Sequence, residues 1–388
     1  MAAILRYLDN LTHTLFGATI ARTPLARAGR GTTAALLLAS NAPDVDIVAT
    51  AGGAVKYLEW HRGPTHGPLG VVGLAVLSAA IVWWGRRIYD RRIDARTGDD
   101  TAAADRPGDA SFAMLVGVSM IGIVLHVLMD LPTVYGTRPL SPFSWRWYAV
   151  DWMPIIDIYL LAALGVGLLG RPTPAQARAK ATFVLLLMAT NYGVRAAAHH
   201  QALVAAPQLF GPTLPQPCEG PRPAAGLLES WPAPMPTMRS DGRRCLIEIA
   251  AMPSFTSPFK WRIIARTSNA YEMHDIDLLS RHLRNPDGED DGEVPWRLTL
   301  RYPDVWTPTV QAAAGSRVGQ VFLGFSRFPA ARSALDKEGT TTVRWTDVRF
   351  AGGALALNER GGRAGMFTAT VRVGADGAIR DQFLGAAR

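Results

Sequence analysis

The chain has 388 residues, 48% of them hydrophobic and 19% charged, with 40 Lys+Arg against 32 Asp+Glu. This balance excludes intrinsic disorder, a collagen-like repeat and a disulfide-dense mini-protein. The formal charge of +8 raises nucleic acid or an anionic membrane as a partner, but basic and acidic residues number 18 and 13 over residues 1–205 and 22 and 19 over 206–388, so neither half is a basic stripe and no nucleic-acid role is indicated.

In chain order, residues 11–21 read as a short helix and residues 32–41 as an apolar stretch ending at Pro43. Both are short for spans and suggest a hairpin within a bundle. Asp9 and His13 interrupt the first 20 residues, so no cleavable signal peptide is expected. Four long apolar runs follow, at 67–84, 112–131, 155–170 and 181–206. A spanning helix needs about 20 mostly apolar residues, and each run meets or approaches that length. Buried helices of a large soluble core are the alternative, but so many apolar runs in one half of the chain favour a membrane. Between the first two runs lie Arg86, Arg87, Arg91, Arg92, Arg96 and Arg106, and between the last two lie Arg171, Arg178 and Lys180, whereas loop 132–154 has only Arg138 and Arg146. The excess of Lys and Arg in cytoplasmic loops predicts that 41–66, the Asp130 and Asp157 span ends, and the chain after Ala206 face outward.

The expected fold is therefore an α-helical transmembrane bundle (1–206), a Pro-rich linker (207–236) and a β-rich extramembrane, periplasmic domain (237–388). The last rests on alternating runs: CLIEIA, FKWRIIAR, WRLTLRY, GQVFLGFSRF, TTVRWTDVRF and FTATVRV. About seven such runs predict a small antiparallel sandwich or barrel. DGEDDGE at 287–293 reads as a solvated loop without EF-hand spacing, and His274, Asp275 and Asp277 as a polar turn before a strand. Cys218 and Cys245 form no CxxC pair, which excludes a cysteine zinc site. In an oxidising compartment they can pair with each other.

The polar residues of the membrane half are few and are nearly all imidazoles and carboxylates, the donors of zinc, iron and manganese sites. His13 lies in NLTHTLFG, Asp44 and Asp46 in SNAPDVDIV, His61 and His66 in HRGPTHGP, His126 and Asp130 in HVLMD, and Asp157 in PIIDIYL. Ionisable groups at membrane depth are costly and default to a functional reading. His126 and Asp130, four apart on a helix, share a face. Each fragment alone has a bland reading: a hydrogen-bonded core histidine, a loop DxD, an intrahelical pair, a helix cap. Arg62 reads equally as an anion ligand and as an interfacial ion pair. Trp145, Trp147, Tyr148 and Trp152 read as an interfacial aromatic belt, His199 and His200 as a wet interface, and Asn191 and Arg195 as interior or snorkelling residues.

These motifs resemble the YdjM-type membrane-bound metal-dependent hydrolases, a bacterial inner-membrane family. The resemblance is carried by Thr12-His13 with Gly17, by Pro43-Asp44-Val45-Asp46, by His61-Arg62-Gly63-Pro64-Thr65-His66, and by His126 with Asp130 followed by TVYGTRPLSPFSWRW and Asp157. It covers about the first 160 residues, and SPFKWR and FSRFP are similar to an extension in some members. The family has Ser after Thr-His, where this chain has Gly67. The resemblance and the donor chemistry together imply a divalent metal, zinc first, held by His13, Asp44, Asp46, His61, His66, His126 and Asp130. Asp46, Asp157 and Arg62 are the expected catalytic residues, and an ester or phosphoester of a lipid or small molecule is the expected substrate. The alternatives are a non-catalytic membrane protein with a structural metal and a periplasmic interaction domain, and a transporter, which would need a continuous polar path.

Overall fold

The protein is described from a computed structural model over residues 2–97, 108–210, 214–219, 227–232, 243–280, 300–351 and 367–385. Its first half contains helices α1 (Ala2–Ile20), α2 (Thr32–Ala39), α3 (Ala54–Trp60), α4 (Pro68–Thr97), α5 (Phe112–Asp130), α6 (Ile158–Leu168) and α7 (Pro174–Phe210). A 3-10 segment, Ala42–Gly52, links α2 to α3. By length and composition α4, α5 and α7 can each cross a membrane.

The α5 sequence shows why it sits where it does. Ser111 caps its start, accepting from the Met114 amide. Leu115, Val118, Ser119, Gly122, Ile123, His126 and Asp130 form one buried stripe, while Ile121, Val124 and Leu128 face outward, as a helix between protein and lipid requires. α2 is buried through Ala35, Leu36 and Ala39 in the angle between α1, α4 and α5. It is an internal hairpin arm and not a span. Gly17 permits the α1–α2 contact, since a Cβ there would lie 2.6 Å from Ser40 Oγ.

The run 155–170 is not a full span. Its helix is the 11 residues of α6. Asp157 caps it by accepting from the Leu160 amide, and Gly170 at φ +81° closes the segment. The arginines expected in loop 85–110 begin inside a helix, because α4 continues through Arg86–Arg96.

The second half is antiparallel sheet with two short helices. Strands β3 (Leu246–Pro253), β4 (Lys260–Thr267), β5 (Ala270–Asp277) and β6 (Leu300–Pro303) form one sheet in that order. Strands β7 (Pro329–Leu335), β8 (Thr341–Asp347), β9 (Thr368–Val373) and β10 (Ile379–Leu384) form another, in the order β10-β9-β8-β7. Neither sheet closes into a barrel. Alternation sorts the faces of β4: Trp261, Ile263 and Ala265 pack on Ala198, Ala202 and Ala206 of α7, while Ile264 shares a core with Ala330 of the other sheet and with Phe328 just before it.

GQVFLGFSRF is not a strand. Helix α9 (Arg317–Phe325), preceded by α8 (Pro308–Ala314), occupies most of it. Val318, Phe322 and Phe325 recur at helical spacing on one buried face, and Ser316 caps the start by accepting from Gly319 N. His274 and Asp275 lie within β5 rather than in a turn before it. Residues 287–293 lie outside the described residues.

The stretch expected as a linker contributes structure at both ends. α7 runs to Phe210, and β2 (Glu229–Trp231) pairs with β1 (Trp147–Ala149) from the bundle, Trp147 opposite Trp231. Leu58, Tyr135, Trp147, Trp231, Phe322, Phe325, Trp345 and Val371 then form a single core shared by the two halves. Each fully buried aromatic contributes about 2–3 kcal/mol of transfer free energy. Arg349 donates to Val134 O, and Arg317 pairs with Glu59 of α3 at 2.7 Å. Cys218 and Cys245 are disulfide-bonded, tying the segment after α7 to the start of β3.

Candidate metal centre

Four separate segments carry imidazole and carboxylate groups to one buried point. α1 supplies His13, the 3-10 segment Asp44, the turn before α4 His66, and the last turn of α5 His126 and Asp130. His66 Nε2 and His126 Nε2 are 3.3 Å apart. Asp130 Oδ2 is 3.3 Å from the first and 3.4 Å from the second. Asp44 Oδ1 lies 3.6 Å from His126 Nε2 and 3.9 Å from His66 Nε2. His13 stacks on the His126 ring and places Nε2 3.4 Å from Asp130 Oδ1. Two donor groups of three emerge, His13–His126–Asp130 and Asp44–His66–His126.

These distances test whether a cation fits. Zinc bonds of about 2.0–2.1 Å arranged tetrahedrally put neighbouring ligand atoms about 3.3 Å apart. Three atoms here meet that spacing on all three edges, and Asp44 stands slightly farther off from the two histidines. The Ser40 carbonyl can only accept, so His126 Nδ1 carries the hydrogen of their 2.8 Å bond, and a neutral ring turns a lone pair inward. Thr65 Oγ1 lies 3.1 Å from His66 Nδ1 and anchors the far side of that ring. Such supports orient imidazoles around metals. Burial pushes the His66 imidazole below its ordinary pKa despite Asp130 beside it. Among the described residues, no hydrogen bond reaches the buried Asp44 Oδ2 or Asp130 Oδ2.

Arg62 completes the surroundings. Its Nη2 is 3.0 Å from Asp130 Oδ1 and its Nη1 donates to Gly136 O at 2.9 Å. The backbone at Arg62 has φ +50°, a region bulky side chains avoid, and such strain persists only where surrounding bonds enforce it. One of those bonds is the Arg62 amide donating to Asp46 Oδ2 at 2.6 Å. The ion-pair reading of Arg62 is the one its contacts support.

His61 and Asp46 are not in either donor group. They face each other, Nδ1 to Oδ2 at 3.2 Å, and His61 Nε2 lies 3.4 Å from the Tyr57 hydroxyl. The turn at Gly63-Pro64 separates the two histidines of the HRGPTH motif, so His66 enters the cluster and His61 stays behind. Burial raises the Asp46 carboxyl, but His61, His66 and the Arg62 amide bring it below its ordinary value. Asp157 also stands apart, as the α6 cap and the partner of Arg195 Nε at 2.6 Å. Arg195 does not snorkel: it is fully buried and donates to Ser254 O of the β3–β4 turn. His199 sits against the Trp261 ring. Of the expected aromatic belt, Trp145 is exposed, whereas Trp147 is wholly buried in the shared core. Asp275 is held by Arg262 through two hydrogen bonds.

Sequence reasoning missed Ser40, Tyr57 and Gly136. Tyr57 was within reach, four residues before His61 on a helix, but Ser40 and Gly136 act through carbonyls, which residue type does not reveal. Gly67 has a local cause: a Cβ would fall 1.7 Å from Ser141 O, so no side chain fits between the turn and loop 138–145.

Apolar helices able to cross a bilayer, joined to a buried His/Asp cluster, define a membrane protein with a candidate metal centre. The chain belongs to the YdjM inner membrane protein family, which it matches over residues 8–202. It is 30% identical over 136 residues to the uncharacterized protein YfhP of Bacillus subtilis (strain 168), a match covering 34% of this chain and 35% of that protein. The chain thus spans about a third of that relative's length. No solved structure matches.

Proposed function

We propose that the protein is an integral-membrane, metal-dependent hydrolase of ester or phosphoester bonds, with zinc the first candidate metal. The observation that carries this reading is the triangle of His66 Nε2, His126 Nε2 and Asp130 Oδ2 at 3.3–3.4 Å, with Asp44 looser on the fourth side. Three tight donors and one loose corner suit a site with an accessible position, whereas a structural metal is enclosed by four equal ligands. A bound divalent cation supplies Lewis acidity and lowers the pKa of coordinated water toward neutrality.

The chain's own residues do the rest. His66, His126 and Asp130 would hold the cation, Asp44 stands farther off on the looser side, and His13 and Arg62 fix Asp130 from its other oxygen. The Asp46–His61 pair is the acid–base group outside the ligand set. The carboxylate can only accept, so the hydrogen sits on Nδ1, and Nε2 faces the Tyr57 hydroxyl, through which a proton could pass. Asp157 is assigned to positioning α6 rather than to the chemistry.

The same reading places the arginine-rich end of α4 in the cytoplasm and the sheets in the periplasm. The Cys218–Cys245 bond supports that side, since disulfides persist in oxidising compartments. The test is elemental analysis of full-length protein in detergent, with and without chelator, beside hydrolysis of ester and phosphoester probes. About one metal per chain and chelator-sensitive hydrolysis are expected. A tightly held metal without turnover would favour a structural centre, and metal-free wild type would end the proposal.

A further inference from the structure

Of the five clustered side chains, four have at most 3% of their surface exposed, and Asp44 alone keeps 15%. The site therefore opens beside Asp44, on the 3-10 segment Ala42–Gly52. With three residues per turn, that segment has three ridges. Pro43 and Asp46 form the buried one. Val45 and Val48 form an outward one, exposed by 44% and 66%, and Ile47, on the ridge of Asp44, is exposed by 42%. The Thr14 hydroxyl donates to Asn41 Oδ1 at 3.1 Å and ties α1 to the residue before the segment, and Leu11, one turn earlier on α1, is 42% exposed. The segment that carries Asp44 thus turns an apolar face outward.

Depth gives that rim a setting. The 19 residues of α5 span about 28 Å, against a hydrocarbon core of about 30 Å. His126 lies four residues, about 6 Å, before the end of α5, so a helix matched to the core would put the site near one membrane face. Leu128, between His126 and Asp130, is 53% exposed and faces away from the site. The other approach is covered: Arg138 donates to Glu59 O, and the Phe350–Phe367 stack lies on Tyr135.

We infer that the site is fed sideways from the bilayer, and that its substrate is a membrane-resident amphiphile whose ester or phosphoester linkage passes the Val45–Val48 rim to reach the metal centre. This rests on the hydrolase reading and adds the substrate class. In the step, the oxygen of water joins the carbonyl carbon or phosphorus, the ester C–O or P–O bond breaks, and the alcohol leaves with a proton.

The test uses full-length protein in vesicles of phosphatidylethanolamine, phosphatidylglycerol and cardiolipin. The native cysteines are paired, so a thiol fluorophore reads only an introduced cysteine. Label on Val48→Cys should be quenched by chain-labelled doxyl lipid and not by iodide, with the reverse at the exposed Ser333→Cys. Quenching of Val48→Cys by iodide alone overturns the proposal whatever the activity. In parallel, vesicle lipid is compared with bis(p-nitrophenyl) phosphate in water. Val48→Asp should lower lipid cleavage at least tenfold while leaving metal content and cleavage of the soluble diester unchanged. Wild type that cleaves only the soluble diester, or lipid cleavage indifferent to Val48→Asp, overturns lateral entry and leaves the hydrolase standing. Cleavage of neither, with metal bound, defeats the hydrolase reading and this substrate class with it.

Discussion

Replacing His126 by Ala tests the centre most directly. The change deletes one corner of the triangle and the 2.8 Å bond to Ser40 O. Four-ligand zinc sites bind with about 10–16 kcal/mol, so one ligand carries about 2.5–4 kcal/mol, or about 10²–10³ in Kd. The purely structural cost is the lost hydrogen bond, about 1 kcal/mol, plus a polar space that water can fill. Thermal unfolding with and without chelator separates the two. At metal about 1,000-fold above Kd, binding stabilises wild type by about 4 kcal/mol, and a Kd raised about 300-fold leaves about 0.9 kcal/mol. Chelator should therefore lower the wild-type Tm clearly and the variant Tm by about a quarter as much, and the variant should emerge from purification depleted of metal. Wild type indifferent to chelator, or His126→Ala with full metal content, would refute the reasoning.

His66→Ala should lose metal as His126→Ala does, His13→Ala should lose less because His13 acts through Asp130 Oδ1, and His199→Ala, against Trp261, should keep it by elemental analysis. Asp130→Asn should lose metal and also destabilise by about 3–5 kcal/mol, because the buried Arg62 loses its counter-charge; a melt matching wild type in chelator would contradict that pairing. Gly67→Ser should destabilise by about 1–3 kcal/mol or more through its clash with Ser141 O, read as lower Tm and yield. Alkaline phosphatase fused after Pro236 should be active and fused after Arg96 inactive; the opposite pattern reverses the proposed orientation.

Elements governed by a local pattern were legible. Alternation in FKWRIIAR and FTATVRV located β4 and β9, and uninterrupted apolar length located α4, α5 and α7. The failures share a cause, which is that two periods can fit one short run. GQVFLGFSRF satisfies alternation over a few residues, but Val318, Phe322 and Phe325 on one face and a Ser316 cap make it α9. Apolar length likewise overstated α6, where Asp157 delays the helix start. The β1–β2 pair was beyond reach because its partners lie 82 residues apart at Tyr148 and Ser230, and no local signal joins them.

In the candidate site the residue types were legible and their division of labour was not. His61 and His66 sit in one motif, five residues apart, and spacing alone allows both to ligate. The structure separates them because the chain reverses at Gly63-Pro64, and because Asp46, two residues after Asp44 on a 3-10 turn, cannot share its direction. A turn of three residues rotates successive side chains by about 120°, so a step of two carries Asp46 onto another ridge. There it meets His61 and the Arg62 amide. That amide bond and the Arg62–Asp130 ion pair connect the two pairs through a single residue held at φ +50°. The short D-x-D and H-R-G-x-T-H motifs therefore encode two adjacent polar units, a donor cluster and a carboxylate–imidazole pair. Arg62, with its backbone in one and its side chain in the other, fixes their separation.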